Sequence, residues 1–267
     1  MAQFSRNNIV PALLLGLAYL STVIPALANT CSTKSGERRV TLLELYTSEG
    51  CDSWPPADEW VSKLPAKGLT SDRLIPLAFH VDYWNYLGWR DGFSQAKFAE
   101  RQRQMAQINR TSFVYTPQLV LNGRDYRRGL VWDDTSEKVK EINNQKPLAD
   151  ISLSIDMPDA GRLHVSGKIS VPGTFERQNA QVYLALYENN LSNAIKAGEN
   201  SGRTLHHDFV VRELVGPIPL DAEGHTQLQQ AFNLQRGWKW QDTGVAAFVQ
   251  NGRSGEVLQA LALAGCK

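Results

Sequence analysis

The chain has 267 residues, of which 42% are hydrophobic and 21% are charged, and these proportions exclude a wholly disordered or fibrous protein. Its 28 basic and 27 acidic residues leave a formal net charge of +1. So small a charge gives no global electrostatic reason to bind nucleic acid or an anionic membrane, and we expect no nucleic acid among the partners.

Residues 1–28 have the features of a signal peptide. Arg6 supplies a positive start, the stretch from Ile9 to Leu20 is apolar, and Ala26-Leu27-Ala28 forms a small-residue cleavage site. The apolar stretch is short for a membrane span, although an uncleaved anchor is the alternative. We therefore predict a periplasmic or secreted protein with no integral membrane association after cleavage.

Strand-like and helix-like segments alternate from Arg39 to Gln145. Proline is tolerated in a first helical turn, and Asn122-Gly123 is a strong hairpin signal. The predicted strands are residues 40–46, 73–81 and 118–121, and the predicted helices are residues 55–64, 95–108 and 133–142. The order β-α-β-α-β-β-α predicts an α/β domain with parallel strands and a hairpin at one edge.

After Pro147 the pattern changes to short runs in which apolar and polar residues alternate, as from Ile151 to Met157. Turn residues separate these runs at intervals that are typical of a β-sandwich or barrel. The fold class predicted is an α/β domain over residues 39–146, followed by an all-β sandwich-like domain over residues 147–267.

The chain contains three cysteines, an odd number, which in an oxidising compartment leaves one thiol over or forms one intermolecular bond. Cys31 and Cys266 lie at the two ends of the mature chain, and we predict a disulfide between them. Cys51 is then the remaining thiol.

Cys51 lies between a predicted strand and a helix that begins at Pro55-Pro56. The free N–H groups at the start of a helix favour a thiolate, whereas the neighbouring carboxylates of Glu49, Asp52 and Asp58 oppose it. The alternative is a buried, inert cysteine, which is the commoner state of an isolated cysteine. The turn-like setting favours a reactive thiol.

A proline follows Thr116 at the start of the third predicted strand, a position where its missing N–H is tolerated. With the element order, Gly50-Cys51-x-x-Trp54-Pro55 and Thr116-Pro117 resemble the Cys-x-x-Cys-Pro motif and the cis-proline loop of the thioredoxin-like superfamily. Other stretches resemble the bacterial secreted family DUF1223: Glu44 to Cys51, Pro55 to Asp58, Phe79 to Trp84, Leu87 to Trp89, and Val114 to Gln118. The resemblance implies a thioredoxin-like domain followed by a β-rich domain. It also implies that the bond before Pro117 is cis and that Thr116-Pro117 binds substrate backbone.

The chain departs from that pattern at Trp54, where family members commonly have a second cysteine. A dithiol uses its second thiolate to resolve a mixed disulfide, and tryptophan cannot do so. A one-cysteine role for Cys51 stays open: mixed-disulfide formation, or a peroxidase-like step that an external thiol resolves.

His80 and Asp82 follow the second predicted strand, at the sheet edge where Cys51 is expected. Alternation along an extended run would point both to one side, so His80 could deprotonate or orient the thiol and Asp82 could hold the imidazole. The alternative is a structural histidine. Cys51 with His80 offers too few ligands for a closed metal site, and we predict neither a metal nor a cofactor.

Several aromatic residues cluster in the sequence near this edge, and they either line a substrate groove or bury one another. They are Trp54, Tyr83, Trp84, Tyr86 and Trp89. Arg101 and Arg103 are expected on a solvated helix face. His206 and His207 point to opposite sides if a strand carries them, so they form a poor joint metal site.

Two hypotheses of function follow. The first is an exported thiol-redox protein that acts through Cys51 on a thiol, peptide or protein substrate, with His80 and Asp82 as further catalytic residues and Trp54, Trp84, Thr116 and Pro117 as substrate contacts. The second is a non-catalytic peptide- or ligand-binding module that has lost dithiol activity along with the second cysteine.

Overall fold

The computed structural model describes residues 1, 30–52, 55–127, 132–159 and 161–266. The predicted signal peptide, apart from Met1, and the predicted substrate contact Trp54 lie outside the described residues. The protein consists mostly of β-sheets with few helices. The helices are α1 (Pro55–Ser62), α2 (Ala96–Ile108), α3 (Thr135–Asn143) and α4 (Thr174–Arg177).

The strands contain more of the described residues than the helices do. They are β1 (Cys31–Lys34), β2 (Thr41–Thr47), β3 (Leu74–His80), β4 (Gln118–Leu121), β5 (Arg124–Asp125), β6 (Asp150–Asp159), β7 (Arg162–Ser170), β8 (Ala180–Glu188), β9 (Leu191–Ala194), β10 (Thr204–His207), β11 (Val210–Ile218), β12 (His225–Asn233), β13 (Thr243–Asn251) and β14 (Val257–Ala264).

The first half follows the predicted element order, with β2 and β3 parallel and β4 antiparallel to β2. These strands lie in the order β3-β2-β4-β5, so that the β4–β5 hairpin forms one edge of the sheet. Asn122 and Gly123 join β4 to β5 with φ angles of 48° and 84°. Two residues with positive φ are what the Asn-Gly hairpin signal predicts.

The second half forms a sandwich. One layer is the four-stranded sheet β1-β6-β7-β12, and the other layer is β14-β13-β8-β11. Alternate apolar residues of the two layers meet in one core, among them Ile155, Val165, Leu184 and Ala247. The alternating pattern marks strands with one buried face in β7 and β12, whereas β8 and β13 are buried on both faces.

The two halves share a single sheet. Strand β11 pairs in parallel with β3, so β14-β13-β8-β11 continues into β3-β2-β4-β5 as one eight-stranded sheet. The Ala78 N–H donates to the Phe209 carbonyl at 2.8 Å across this seam. The predicted division between residues 146 and 147 does not divide the sheet. Pairing between strands so distant in sequence leaves no mark in the periodicity of either strand.

The two ends of the described chain are joined covalently. Cys31 and Cys266 form a disulfide with a Cα–Cα distance of 5.7 Å, which confirms the predicted pairing. The bond ties β1, at the edge of the four-stranded sheet, to the residues that follow β14. Cys51 is the cysteine outside this disulfide, and it is buried.

Arg101 is not on a solvated face, and that expectation is wrong. Its Nε and Nη2 donate to the two carboxylate oxygens of Glu44 at 2.7 and 2.8 Å, and its Nη2 also donates to Gln250 at 3.2 Å. The guanidinium also lies against three aromatic rings, those of Phe79, Tyr183 and Phe248. Arg103, two residues further along α2, is exposed. The buried face of α2 thus carries a charge whose partner comes from β2, which local sequence does not reveal.

Candidate functional site

Cys51 lies in the loop that joins β2 to α1, where its N–H donates to the Ser48 carbonyl at 3.4 Å. Only 9% of the residue is exposed, and it packs with Ile195 and Leu205 from the second half of the chain. Cys51 therefore lies in a turn, as predicted, but residues from the second half of the chain cover that turn.

The cover is the hairpin formed by β9, β10 and their connection, residues 191–207, which we call the covering hairpin. Asn200 Nδ2 donates to the backbone carbonyls of Glu49 and Cys51 at 3.0 and 2.8 Å. The Asp52 N–H donates to a Glu199 carboxylate oxygen at 3.0 Å. Both ends of the Cys51 peptide segment are thus bonded to the hairpin.

Gly198 allows the covering hairpin to lie close to Trp89. Gly198 has a φ angle of 74°, and a Cβ atom built on it would lie 3.0 Å from the Trp89 Cβ. A larger residue would combine an unfavourable backbone conformation with a steric contact against Trp89. The sequence positions of the Cys51 loop and the hairpin are far apart, so this approach was not predicted.

Trp84 connects the thiol to the proline loop. Its ring packs against the cluster that contains Cys51, and its Nε1 donates to Thr116 Oγ1 at 2.8 Å. The Thr116–Pro117 peptide bond is cis, as the resemblance implies. Trp84, Thr116 and Pro117 are all half-buried, so part of each side chain faces solvent. The structure brings these predicted contacts to the same end of the sheet as Cys51.

The carboxylate that contacts His80 in the structure is that of Asp91, whereas the sequence predicted Asp82 for this position. His80 Nδ1 lies 2.7 Å from Asp91 Oδ2, and both residues are fully buried. Asp82 is half-buried in a bend just after β3. The strand ends at His80, so the alternation that placed Asp82 on the same side no longer applies.

Five buried residues form what we call the histidine cluster: Glu49, Asp58, His80, Asp91 and His207. The two imidazole rings lie 5.1 Å apart, centroid to centroid. His207 Nε2 lies 3.1 Å from Glu49 Oε1, and His207 Nδ1 lies 3.7 Å from Asp58 Oδ2. The edge-on ring of Phe93 packs against both imidazoles.

Hydrogen bonds hold two carboxylates of the histidine cluster in place, those of Glu49 and Asp91. Glu49 accepts from Trp89 Nε1 at 2.9 Å and from Asn193 Nδ2 at 3.0 and 3.1 Å. Asp91 accepts from the backbone N–H groups of Glu49 and Phe93 at 2.9 and 2.8 Å. Each carboxylate can therefore orient the imidazole that it contacts.

The electrostatics of the cluster favour positive charge. Burial alone would lower the pKa of His207, but hydrogen bonding and charge from Asp58 and Glu49 outweigh it and raise that pKa to about 9. Burial acts to raise the pKa of Asp91, yet the His80 charge and its hydrogen bonds keep that pKa below its ordinary value. The cluster is thus a buried pocket of negative potential.

The sequence analysis did not predict two members of the histidine cluster, His207 and Asp91. His207 was considered only with His206, and the two do point to opposite sides, since His206 is exposed and His207 is buried. Strand alternation could have selected His207 as the inward-facing residue of the pair. Asp91 lies in a loop with no periodicity, and no sequence signal identified it.

Of the aromatic residues near this edge of the sheet, some pack against other side chains and others are exposed. Trp84 and Trp89 pack against the cluster that contains Cys51, and the rings of Tyr83 and Trp84 lie 5.6 Å apart. Tyr86 is 75% exposed and lies 6.2 Å from the Trp84 ring. Packing therefore accounts for most of the group, whereas Tyr86 and the exposed part of Trp84 form a surface.

The fold and site define a β-rich protein in which a buried thiol and a buried histidine cluster lie beneath a hairpin. The chain belongs to the family described as "Protein of unknown function (DUF1223)", which matches residues 42–250. A comparison with curated proteins gives no match.

Two solved structures are similar to the chain. Protein AGR_C_4864 from Agrobacterium tumefaciens is 25% identical, with a TM-score of 0.59, and the match covers 86% of this chain and 96% of that one. HBP35 of Porphyromonas gingivalis is 17% identical, with a TM-score of 0.63, over 86% of this chain and 76% of that one. The second likeness concerns the fold alone.

Proposed function

We propose that this chain is an exported, thioredoxin-like thiol protein that forms mixed disulfides through Cys51. The observation that carries the proposal is the Trp84 side chain, which packs against the cluster that contains Cys51 and donates a hydrogen bond to Thr116. The strand order β3-β2-β4-β5 supports it, because Cys51 follows β2 and Thr116-Pro117 precedes β4, as the resemblance implies. A substrate peptide would lie along Thr116 and Pro117 beside the thiol.

The chemistry proposed is a single thiol–disulfide exchange. The Cys51 thiolate attacks one sulfur of a substrate disulfide, a new Cys51–substrate bond forms, and the other sulfur leaves as a thiolate. An external thiol then attacks the mixed disulfide and regenerates Cys51. No second cysteine in the motif can perform that step, since Trp54 occupies its position.

Export is part of the proposal and has independent support. Disulfides such as Cys31–Cys266 form and persist in the periplasm and outside the cell, where thiols are not kept reduced. Within the described residues, no helix has the length and apolar character needed to cross a membrane. The signal peptide predicted for residues 1–28 would direct the chain to such a compartment.

Wild-type protein treated with oxidised glutathione should gain one glutathione on Cys51 and retain it until an external thiol is added. Trapping needs one thiolate, whereas unaided release needs two. Mass mapping of the intact protein and of its peptides checks the site. Cys51→Ser should gain none, and Trp54→Cys should gain reductase activity on insulin.

The alternative function is a binding module without thiol chemistry, and the burial of Cys51 favours it. Under that alternative Cys51 resists alkylation in the folded protein, and Trp54→Cys has no reductase activity. These two results together would contradict the thiol proposal.

Loosening the covering hairpin should speed reaction of Cys51. Asn200→Ala removes two hydrogen bonds to the Cys51 segment, each contributing about 0.5–1.5 kcal/mol. The opening equilibrium, and with it the alkylation rate, should rise about 5- to 150-fold. The rate of iodoacetamide labelling measures this, and Ser201→Ala, an exposed neighbour, is the matched control. Equal labelling rates in both variants would show that the hairpin does not gate the thiol.

A further inference from the structure

Three buried side chains from separate parts of the fold meet inside the histidine cluster. Asp58 comes from α1, His80 from the end of β3, and His207 from the end of β10. One ligand-type atom of each lies within 4.8 Å of the others, and all three residues are at most 2% exposed. We propose that Asp58, His80 and His207 bind a divalent transition-metal ion of the zinc type.

The other ring nitrogen of each histidine contacts a second carboxylate. His80 Nδ1 is bonded to Asp91, so His80 would bind the ion through Nε2. His207 Nε2 contacts Glu49, so His207 would bind through Nδ1, which already lies 3.7 Å from Asp58 Oδ2. Histidines that ligate metals almost always donate their other N–H to a carboxylate, a carbonyl or water, which fixes the ring orientation. Both imidazoles have this arrangement.

The carboxylates of the cluster favour binding of a cation. Glu49, Asp58 and Asp91 place three carboxylates around two imidazoles in a region closed to solvent. Buried charges of one sign are costly unless they are paired or coordinate a metal. The guanidinium of Arg212 lies 5.0 Å from the Phe93 ring, and that ring packs against both imidazoles. The Phe93 ring thus contacts both this guanidinium and the two imidazoles.

The distances suit a metal after a small contraction. Zinc ligands lie about 2.0–2.2 Å from the ion, so that ligand atoms in a tetrahedral site are about 3.4 Å apart. The present separations, up to 4.8 Å, would shorten by roughly 1 Å when an ion enters. Side-chain rotation of Asp58, whose Oδ2 accepts only a 3.3 Å hydrogen bond from Thr47, can supply part of this movement.

The chemical types of the three proposed ligands determine which ions the site would prefer. Imidazole nitrogens suit zinc, copper, iron and nickel, whereas calcium and magnesium prefer shells made of oxygen. Three protein ligands are also the number found in zinc sites that keep one exchangeable position. We therefore expect binding of Zn²⁺ and Co²⁺ and no comparable binding of Mg²⁺ or Ca²⁺.

The proposed metal site is separate from the thiol chemistry. The Cys51 sulfur lies near the carboxylates of Asp52 and Glu199, both of which are exposed. Cys51→Ser should therefore bind Zn²⁺ as tightly as the wild type does. This variant distinguishes the two proposals, because loss of thiol reactivity leaves the metal result unchanged.

The test uses the exported chain without a histidine tag, freed of metal with a chelator and titrated calorimetrically with Zn²⁺. We expect one equivalent to bind to the wild type and about a hundredfold or greater weakening in Asp58→Asn and His207→Gln. Asp91→Asn should weaken binding by about 10–100-fold, since it removes only the outer partner of His80. Glu59→Gln and His206→Gln, the exposed neighbours of two ligands, are the matched controls and should bind like the wild type.

A second measurement needs no altered protein, in case a variant fails to fold. Wild-type protein loaded with Co²⁺ should show visible d–d absorption without a sulfur-to-cobalt charge-transfer band, as expected for nitrogen and oxygen ligands. Absence of both Zn²⁺ and Co²⁺ binding in the wild type would overturn the proposal. A charge-transfer band that disappears in Cys51→Ser would also overturn it, because it would place the metal on the thiol.

Discussion

Replacing Arg101 with methionine is expected to lower the free energy of unfolding by about 3–5 kcal/mol. The substitution leaves the Glu44 carboxylate inside the core, where it is 0% exposed. Among the described side chains that donate to Glu44, the hydroxyl of Tyr46 would then remain. An uncompensated buried charge costs more than the original ion pair contributes. Methionine keeps the length and apolar contacts of the arginine stem, so packing loss is small.

Chemical denaturation followed by circular dichroism measures this change. Arg103→Met, on the exposed side of the same helix, is the matched control and should alter stability by less than about 0.5 kcal/mol. Adding Glu44→Leu to Arg101→Met should recover much of the loss, because the stranded charge is then removed. A single Arg101→Met variant as stable as Arg103→Met would show that the ion pair does not stabilise the core.

Removal of the terminal disulfide should have the next largest effect. Changing Cys31 and Cys266 together to serine is expected to lower the free energy of unfolding by about 2–5 kcal/mol. The bond joins residues 235 positions apart, so its loss frees almost the entire described chain in the unfolded state. It also releases β1, the edge strand of the four-stranded sheet, from the end of β14.

The same denaturation experiment, on wild type and variant without reductant, checks this expectation. Cys51→Ser serves as the control for loss of a sulfur atom without loss of a cross-link. Reducing the wild type should reproduce the stability of the double variant. If the double variant unfolds at the wild-type denaturant concentration, the cross-link adds nothing to stability.

Local patterns predicted the elements of the first half well. Strand β4 occupies the predicted residues 118–121, and the Asn122-Gly123 turn has the backbone that its composition indicates. These features depend on neighbours in sequence, namely side-chain alternation and turn conformation. The β11–β3 pairing depends on residues more than 100 positions apart, and nothing in either strand identifies its partner.

The candidate site was predicted in outline only. Cys51 and Trp84 were placed together because the carboxyl ends of parallel strands share an edge of the sheet, and Thr116-Pro117 was placed beside them by the resemblance. The carboxylate beside His80 was misassigned, since the chain turns after β3 and brings Asp91 back from a loop. The covering hairpin and His207 come from the second half, so their approach to Cys51 depends on the three-dimensional fold of the whole chain.

The parallel pairing of β11 with β3 sets a practical limit on how this chain can be shortened. A fragment that ends near residue 146 would leave the outer edge of β3 without its partner strand, although that strand is entirely buried in the whole protein. Unpaired N–H and C=O groups along an apolar edge are a template for pairing with another chain. Such a fragment would also lack Tyr183 and Phe248, two of the three aromatic rings against Arg101. Isolated halves are therefore expected to aggregate, and evolution of either half is constrained by the strand it must meet in the other.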